Sequence, residues 1–155
     1  AQGDDIITGG AGDDVLYGGL GNDTFVISDI ETNGSDTIYA FTSSTDTATV
    51  GEGADLVQFS SADLMAATGF VTYAGDGTSI TLNDTTTKVA FVTGAGAVAS
   101  EAYATVSYDT STGQLSFDAD GTGSVASSIV EATLFSDFGT TAITDLLSAD
   151  LTFIA

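Results

Sequence analysis

The residues of this sequence that could do chemistry are aspartates that recur at regular positions near its beginning. Two consecutive nine-residue segments, 9–17 and 18–26, share the pattern G-G-x-G-x-D-x-U-x, in which U is a large apolar residue. Residues 1–8 fit the same frame without its first position. Carboxylates at a fixed spacing among tight turns are oxygen ligands suited to a hard divalent cation such as Ca²⁺. The aspartates at position six of the three nonads are Asp5, Asp14 and Asp23.

The glycines of the pattern explain how such a short turn could surround a cation. Glycine adopts positive φ angles and permits the close backbone approach that aims several carbonyl oxygens at one point. Each turn is followed by a three-residue strand, and its apolar residue at position eight is predicted to point into a core between two sheets. The glycines assigned to the metal-binding turns are Gly3, Gly10, Gly12, Gly19 and Gly21, and the position-eight residues are Ile7, Leu16 and Phe25.

The period of the repeat predicts which residues stack on one another. Two nonads complete one coil, so residues 18 apart, such as Asp5 and Asp23, should lie on neighbouring coils at about 4.8 Å. Two bare carboxylates at that distance repel by roughly 3–4 kcal/mol at an effective dielectric constant near 20. A Ca²⁺ ion between them, with turn carbonyls completing six or more ligands, would convert this repulsion into a cross-link.

Two later segments repeat the second half of a nonad. Residues 33–38 do so after a four-residue insertion, and residues 51–57 do so once more. Their acidic residues, Asp36 and Asp55, are further candidate ligands, and an ordinary role in a turn is the alternative for both. Asp36 would be the partner of Asp14 on the opposite edge of the coil.

The charge of the chain fits a bound cation and excludes several classes of partner. The 22 acidic residues face a single base, Lys88, and give a formal charge of -21. This imbalance excludes nucleic-acid binding, which needs a basic surface, and disfavours anionic membranes. It also destabilises a compact state unless a cation is bound, although 43% hydrophobic residues allow a core to form.

Cysteine and histidine are absent from the sequence. Their absence excludes Cys/His zinc sites and any catalysis that needs an imidazole or a thiol. A serine nucleophile would have neither a histidine nor a nearby lysine to activate it. We therefore expect that this chain is not an enzyme.

The nonads resemble the RTX, or hemolysin-type, calcium-binding repeats, with decreasing fidelity from residue 1 to about 60. The far end resembles the same family: residues 106–123 are similar to the Y-D-x-x-T-G-x-L-x-x-D-x-D-G-x-G segment that closes many such proteins, and residues 147–155 are similar to their terminal strand. The resemblance implies a parallel β-roll with Ca²⁺ in its turns. It also implies the C-terminal domain of a large bacterial protein, exported by a type I secretion apparatus that reads an uncleaved C-terminal signal.

The remaining sequence predicts an all-β domain with one short helix at 60–67. Glycine-containing turns at 75–77 and 111–113 predict hairpins. We expect a short parallel calcium β-roll over 1–60 that continues into a β-sandwich-like cap and secretion-signal region over 61–155, packed with the roll as one unit. The strands are predicted near 70–74, 78–83, 87–93, 104–108, 114–117, 129–135 and 151–154.

A second acidic motif follows the predicted strand at 114–117. Asp118 and Asp120, with Gly121, resemble the first part of an EF-hand loop. The bidentate Glu of that loop is not in frame, because Glu131 comes thirteen residues after Asp118 instead of eleven. Both a calcium site and a plain turn are open interpretations here.

Three functions are compatible with these patterns. The first is a calcium-binding module that folds on export and carries the secretion signal, with Ca²⁺ and the type I apparatus as partners. The second is a surface-layer or adhesin terminus whose calcium sites order contacts at the cell surface or between copies. The third is a carbohydrate-binding roll module of a polysaccharide-modifying enzyme. All three place the protein outside the cell.

Overall fold

The computed structural model describes residues 2–28, 34–44, 53–60, 90–99, 104–118, 128–139 and 141–154. The regular secondary structure of these residues is almost all strand, which confirms the all-β prediction. The predicted helix at 60–67 lies outside the described residues except for Ser60, which ends a strand. The strands predicted at 70–74 and 78–83 also lie outside them. The strands are β1 (Ile6–Thr8), β2 (Val15–Tyr17), β3 (Thr24–Ile27), β4 (Asp36–Tyr39), β5 (Leu56–Ser60), β6 (Ala90–Gly94), β7 (Thr105–Asp109), β8 (Gln114–Asp118), β9 (Ser128–Phe135) and β10 (Leu151–Ile154), with a 3₁₀ turn at Ser148–Asp150 before β10.

The strands form two sheets. Sheet 1 has the order β1-β3-β5-β10 and is parallel throughout. Sheet 2 has the order β2-β4-β9-β8-β7-β6, with antiparallel pairing only where β8 meets its neighbours β7 and β9. The strands β1 to β5 therefore alternate between the two sheets along the chain, which is the path that the predicted roll requires. The described residues contain no helix that is long and apolar enough to cross a membrane.

The pairing register preserves the nonad frame even where the sequence departs from it. Ile7 pairs with Phe25, 18 residues on, as the period predicts. On the other sheet Leu16 pairs with Ile38, and Phe25 pairs in turn with Val57, across separations of 22 and 32 residues. The inserted residues therefore leave the register of the paired strands unchanged. A slip of one residue would turn every position-eight side chain outward, so burial selects this register.

The core lies between the two sheets and holds the position-eight residues. Phe25, Ile38 and Val57 are fully buried, Leu16 is nearly so, and Ile7, on the edge strand, packs against the same cluster. Each fully buried side chain of this kind stabilises the fold by about 1.5–3 kcal/mol. The C-terminal strands contribute to the same cluster through Val106, Tyr108, Leu115, Phe117, Ala132, Leu134 and Leu151.

The C-terminal strands extend the two sheets begun by the nonads. The hairpin predicted around 111–113 is confirmed: β7 and β8 are antiparallel, and the Gly113 N–H donates to the Asp109 carbonyl at 2.8 Å. β10 has the predicted bounds and is the fourth strand of sheet 1. β6 ends at Gly94, one residue beyond the strand predicted near 87–93, and the turn follows at 95–96.

Candidate calcium centre

The position-six aspartates of successive coils stack in two columns at the starts of the strands. One column lies where strands of sheet 1 begin, and the other lies where strands of sheet 2 begin. Parallel strands bring equivalent residues to one edge, so side chains far apart in sequence become neighbours. The predicted partnership of Asp14 with Asp36 is therefore present in the structure. The sheet 1 column contains Asp5, Asp23 and Asp55, and the sheet 2 column contains Asp14 and Asp36.

In Asp23, Asp36 and Asp55, one carboxylate oxygen accepts a backbone N–H from the preceding coil. Asp5 donates its N–H to Oδ1 of Asp23 at 2.9 Å, and Asp14 donates to Oδ1 of Asp36 at 3.0 Å. Asp23 in turn donates to Oδ1 of Asp55 at 2.9 Å. These charge-assisted bonds orient each carboxylate, so the direction of its second oxygen is determined by the fold.

The second carboxylate oxygens, Oδ2, are the atoms at which a cation could bind. Oδ2 of Asp5, Asp23 and Asp36 is buried and accepts no hydrogen bond from the described part of the chain. Asp23 is only 1% exposed and Asp36 is 0% exposed. A buried charged oxygen without a partner costs more than a lost neutral hydrogen bond. A hard cation bound at these oxygens would remove that cost.

Two glycines at position one of the nonad leave room beside these oxygens. A Cβ added to Gly9 would lie 2.9 Å from Oδ2 of Asp14 and 3.0 Å from Oδ2 of Asp36. A Cβ added to Gly18 would overlap Oδ2 of Asp23. The sequence analysis did not assign these two glycines to the site, although their fixed place in the nonad was the available signal. Glycine at position one therefore lets these carboxylates lie against the backbone, and their orphaned oxygens fit a Ca²⁺ ion.

The turn glycines behave as predicted. Positive φ angles occur at all five of them, so their backbone conformation strongly favours glycine. Close approach of the coils adds a second requirement at Gly21, because a Cβ there would lie 2.5 Å from the carbonyl oxygen of Gly3. Gly34 meets Gly12 in the same way on the other column. The five predicted glycines are Gly3, Gly10, Gly12, Gly19 and Gly21.

Within the described ranges no three acidic side chains converge on one point. A bound ion would therefore combine the column carboxylates with backbone carbonyl oxygens, as the sequence analysis expects. Asp55 has both oxygens engaged, because Oδ1 accepts the Asp23 N–H and Oδ2 accepts the Thr42 N–H at 2.9 Å. These contacts of Asp55 fit an ordinary role in a turn, which is the alternative to calcium binding given in the sequence analysis.

The acidic motif after β8 is described only in part. Asp118 is the last residue of β8 and is fully buried, in register with Thr105 and Ser128 on the neighbouring strands. Asp120 lies outside the described residues.

Burial and like charge both act on the pKa of Asp36. Desolvation raises this pKa above its ordinary value, the Asp14 N–H lowers it, and the nearby carboxylates of Asp14 and Asp13 raise it. The ionised form is therefore disfavoured in the calcium-free fold. A divalent cation at the same place would reverse the balance, because opposite charge favours the ionised carboxylate.

Two other buried acids have no counterpart in the nonad period, and sequence reasoning missed both. Asp150, in the 3₁₀ turn, is 0% exposed and accepts the N–H of Ser44 at Oδ1 and of Leu147 at Oδ2, each at 2.7 Å. Glu131 is buried at the irregularity where the pairing of β8 with β9 shifts register. Only the tertiary fold shows that these side chains are enclosed.

Comparison with known families agrees with the geometry at the N-terminus. Residues 1–25 match the family model described as RTX calcium-binding nonapeptide repeat (4 copies). Neither the curated proteins nor the solved structures contain a significant match to the chain. The matched residues include Asp5 and Asp23, the first two aspartates of the sheet 1 column, and Asp14, the first of the sheet 2 column. The N-terminal repeats therefore support a calcium-binding module.

Proposed function

We propose that this chain is a calcium-dependent folding module of an exported protein. The observation that carries the proposal is the set of buried Oδ2 atoms on Asp5, Asp23 and Asp36 that accept no hydrogen bond from the described residues. Without calcium these oxygens and the net charge of -21 oppose folding. Extracellular calcium modules bind their ion at roughly 10⁻⁴–10⁻³ M, so the chain would fold where calcium is abundant and stay unfolded where it is scarce.

Export through a type I apparatus is the finer part of the proposal. Its support is that RTX repeats occur in secreted bacterial proteins and that the C-terminal residues resemble the terminal strand of that family. An unfolded chain can pass through a channel, and calcium outside the cell would then drive folding. The role is non-catalytic, because the best-placed acids lie in the calcium turns.

One titration tests the core of this proposal. Far-ultraviolet circular dichroism and calorimetric calcium binding would be followed on the same chain, from EDTA into millimolar calcium. We expect β-structure to be gained as more than one ion binds. A chain that is fully folded in EDTA and binds no calcium would overturn the proposal.

A matched pair of variants assigns the ions to the columns. Asp23→Asn keeps an acceptor for the Asp5 N–H but removes the charge from the buried oxygen. We expect it to lose at least one bound ion in calorimetry. Asp137→Asn is the control, because Asp137 is exposed in the loop after β9 and its loss of charge should leave the ion count unchanged. Equal loss of ions in both variants would point to a general charge effect.

A specific surface favours carbohydrate attachment as a second candidate function. Tyr17, Tyr39 and Phe135 pair in register on adjacent strands of sheet 2. Phe138 is 72% exposed and lies over this row, with ring centroids 4.7 Å from Tyr17 and 6.1 Å from Tyr39. The exposed rings of Phe138 and Tyr17 are suited to stacking on sugar rings, and the net charge favours a neutral glycan over an acidic one.

Affinity electrophoresis in gels that contain neutral or acidic polysaccharide distinguishes the alternatives. Retardation by a neutral polysaccharide that Phe138→Ala abolishes would support attachment. Calcium-dependent self-association, measured by light scattering, would instead support the surface-layer or adhesin alternative. Unchanged mobility in every gel would remove the carbohydrate candidate.

A further inference from the structure

The residues at position five of the nonad form a second set of contacts between coils. Asp4 accepts the backbone N–H of Asn22 at Oδ1 (2.8 Å), and the Asn22 side-chain Nδ2 donates to the same oxygen (3.2 Å). Oδ1 of Asn22 then accepts the N–H of Ala54 at 3.0 Å. In the other column Oδ1 of Asp13 accepts the N–H of Ser35 at 2.9 Å. Position-five side chains thus bind the following coil, whereas position-six carboxylates bind the preceding one.

The sequence varies at position five in the way that these contacts require. Position six is aspartate in all five copies of the motif, and in Asp23, Asp36 and Asp55 its carboxylate accepts an N–H from the preceding coil. Position five is Asp4, Asp13 or Asn22 where another coil of the same column follows. It is Ser35 or Ala54 where the column ends, since the next strands are β9 and β10. A carboxylate or amide side chain is therefore present at position five only where a following coil offers an N–H.

We propose that Asp4, Asp13 and Asn22 are positioning residues, an inter-coil latch that acts without the metal. All three are exposed, whereas the orphaned oxygens of Asp23 and Asp36 are buried. The latch holds adjacent coils together on the solvent side, so that position-six carboxylates of neighbouring coils stay at a distance that one ion can bridge. This inference rests on the proposed calcium-binding function and separates latch residues from ligands.

The latch explains why position five is asparagine at residue 22, where aspartate stands at residues 4 and 13. Asn22 lies in the middle coil of its column and both donates to Asp4 and accepts from Ala54. An amide side chain provides both a donor and an acceptor, whereas an ionised carboxylate only accepts. Aspartate at position 22 would also place two carboxylates against each other. Asp13 only accepts, so either aspartate or asparagine can perform its role.

Two isosteric exchanges distinguish a latch from a ligand, because the two roles predict opposite results. The measurement is the folding equilibrium constant from urea titrations at fixed free calcium and about 0.15 M salt, where charges beyond about 8 Å are screened. For a latch, Asp13→Asn should leave the constant unchanged within about twofold, and Asn22→Asp should lower it about fivefold. For a ligand, Asp13→Asn should lower the constant and Asn22→Asp should raise it, which would overturn the inference.

Deletion and rescue complete the test. Asp13→Ala leaves the Ser35 N–H without its acceptor and should lower the folding constant about threefold, with the number of bound ions unchanged in calorimetry. Asp13→Asn should restore the wild-type constant. An Asp13→Ala protein as stable as wild type, or one that loses an ion, would overturn the latch.

The wild-type chain in the same titration keeps the two proposals apart. If it binds no calcium, the calcium function fails, and the latch is then decided by the same urea comparison on the calcium-free protein. If it binds calcium and the variants do not follow the latch order, only the latch fails.

Discussion

At the residue scale, the two oxygens of one position-six carboxylate have separate tasks. Oδ1 of Asp23 is held by the N–H of the previous coil, and Oδ2 is buried beside Gly18. Asparagine could perform the first task but would present an uncharged group to the cation in the second. This division explains why one aspartate per nonad can both join two coils and bind an ion.

Gly18→Ala tests the space beside that oxygen without changing any charge. The added methyl would overlap Oδ2 of Asp23, so we expect the variant to lose an ion or to bind it at least tenfold more weakly, about 1.4 kcal/mol. Calorimetric titration with calcium measures this. Gly139→Ala is the control, because its methyl would approach only Asp137, at 3.1 Å. Unchanged binding in Gly18→Ala would show that the ion does not use this space.

Asp109, which lies outside the calcium columns, should make the stability of the fold depend on pH. The Ser111 side chain, and then the N–H groups of Gly96 and Ser111, lower its pKa from 3.8 to about 2. Because the folded-state pKa is the lower one, Asp109 stabilises the fold above about pH 4, and this contribution is lost as the pH falls towards 2. When no cation is bound, burial raises the pKa of Asp36, so its contribution then has the opposite sign and is lost as the pH rises.

Comparison of wild type with Asp109→Ala isolates this effect. We expect wild type to be the more stable protein at pH 6 and the difference to shrink steadily between about pH 4 and pH 2. Urea unfolding at a series of pH values, with calcium held at one concentration, measures the difference. A difference that is constant across this range would show that Asp109 does not titrate with a lowered pKa.

At the element scale, strand β10 is attached by Asp150 as well as by its pairing with β5. The carboxylate joins the 3₁₀ turn to Ser44, 106 residues earlier in the chain, and β10 continues sheet 1 beyond β5. The residues that resemble the terminal strand of the RTX family are therefore part of the folded sheet.

Asp150→Ala should destabilise the calcium-bound protein by about 1–3 kcal/mol, because two N–H groups lose their charged acceptor. Asp150→Asn keeps one acceptor and should lose less. Urea unfolding at saturating calcium compares the variants, and calorimetry should show that neither loses an ion. Equal stability of Asp150→Ala and wild type would mean that pairing with β5 alone holds the strand.

At the scale of the whole molecule, the net charge of -21 makes stability depend on bound cations. Each ion that binds only the folded chain should add about 1.4 kcal/mol for every tenfold rise in calcium above its dissociation constant. We expect Tm to rise continuously with the logarithm of calcium concentration. Scanning calorimetry measures this.

Magnesium and sodium chloride are the matched controls. Magnesium demands a smaller octahedral shell and gives up water reluctantly, so it should raise Tm much less than calcium at equal concentration. Sodium chloride should act only by screening. An equal effect of all three salts would reduce the calcium dependence to general electrostatics.

The sequence by itself determined the repeating part of this protein. The nonad period predicted the glycine turns, the buried residues at position eight and the pairing of residues 18 apart, as with Ile7 and Phe25. It also predicted the partnership of Asp14 with Asp36 across the insertion. Local patterns suffice here because each nonad repeats the same turn chemistry, and burial of position eight permits one register.

Only the tertiary structure decided how the carboxylate oxygens are divided between hydrogen bonds and a cation. The sequence cannot distinguish Asp55, whose oxygens accept two N–H groups, from Asp23, whose Oδ2 accepts none. Nor does it show that Asp150 is enclosed or that position five binds the next coil. These properties depend on which backbone groups the neighbouring coils and distant segments bring to each side chain, and that is a consequence of packing between residues far apart in the chain.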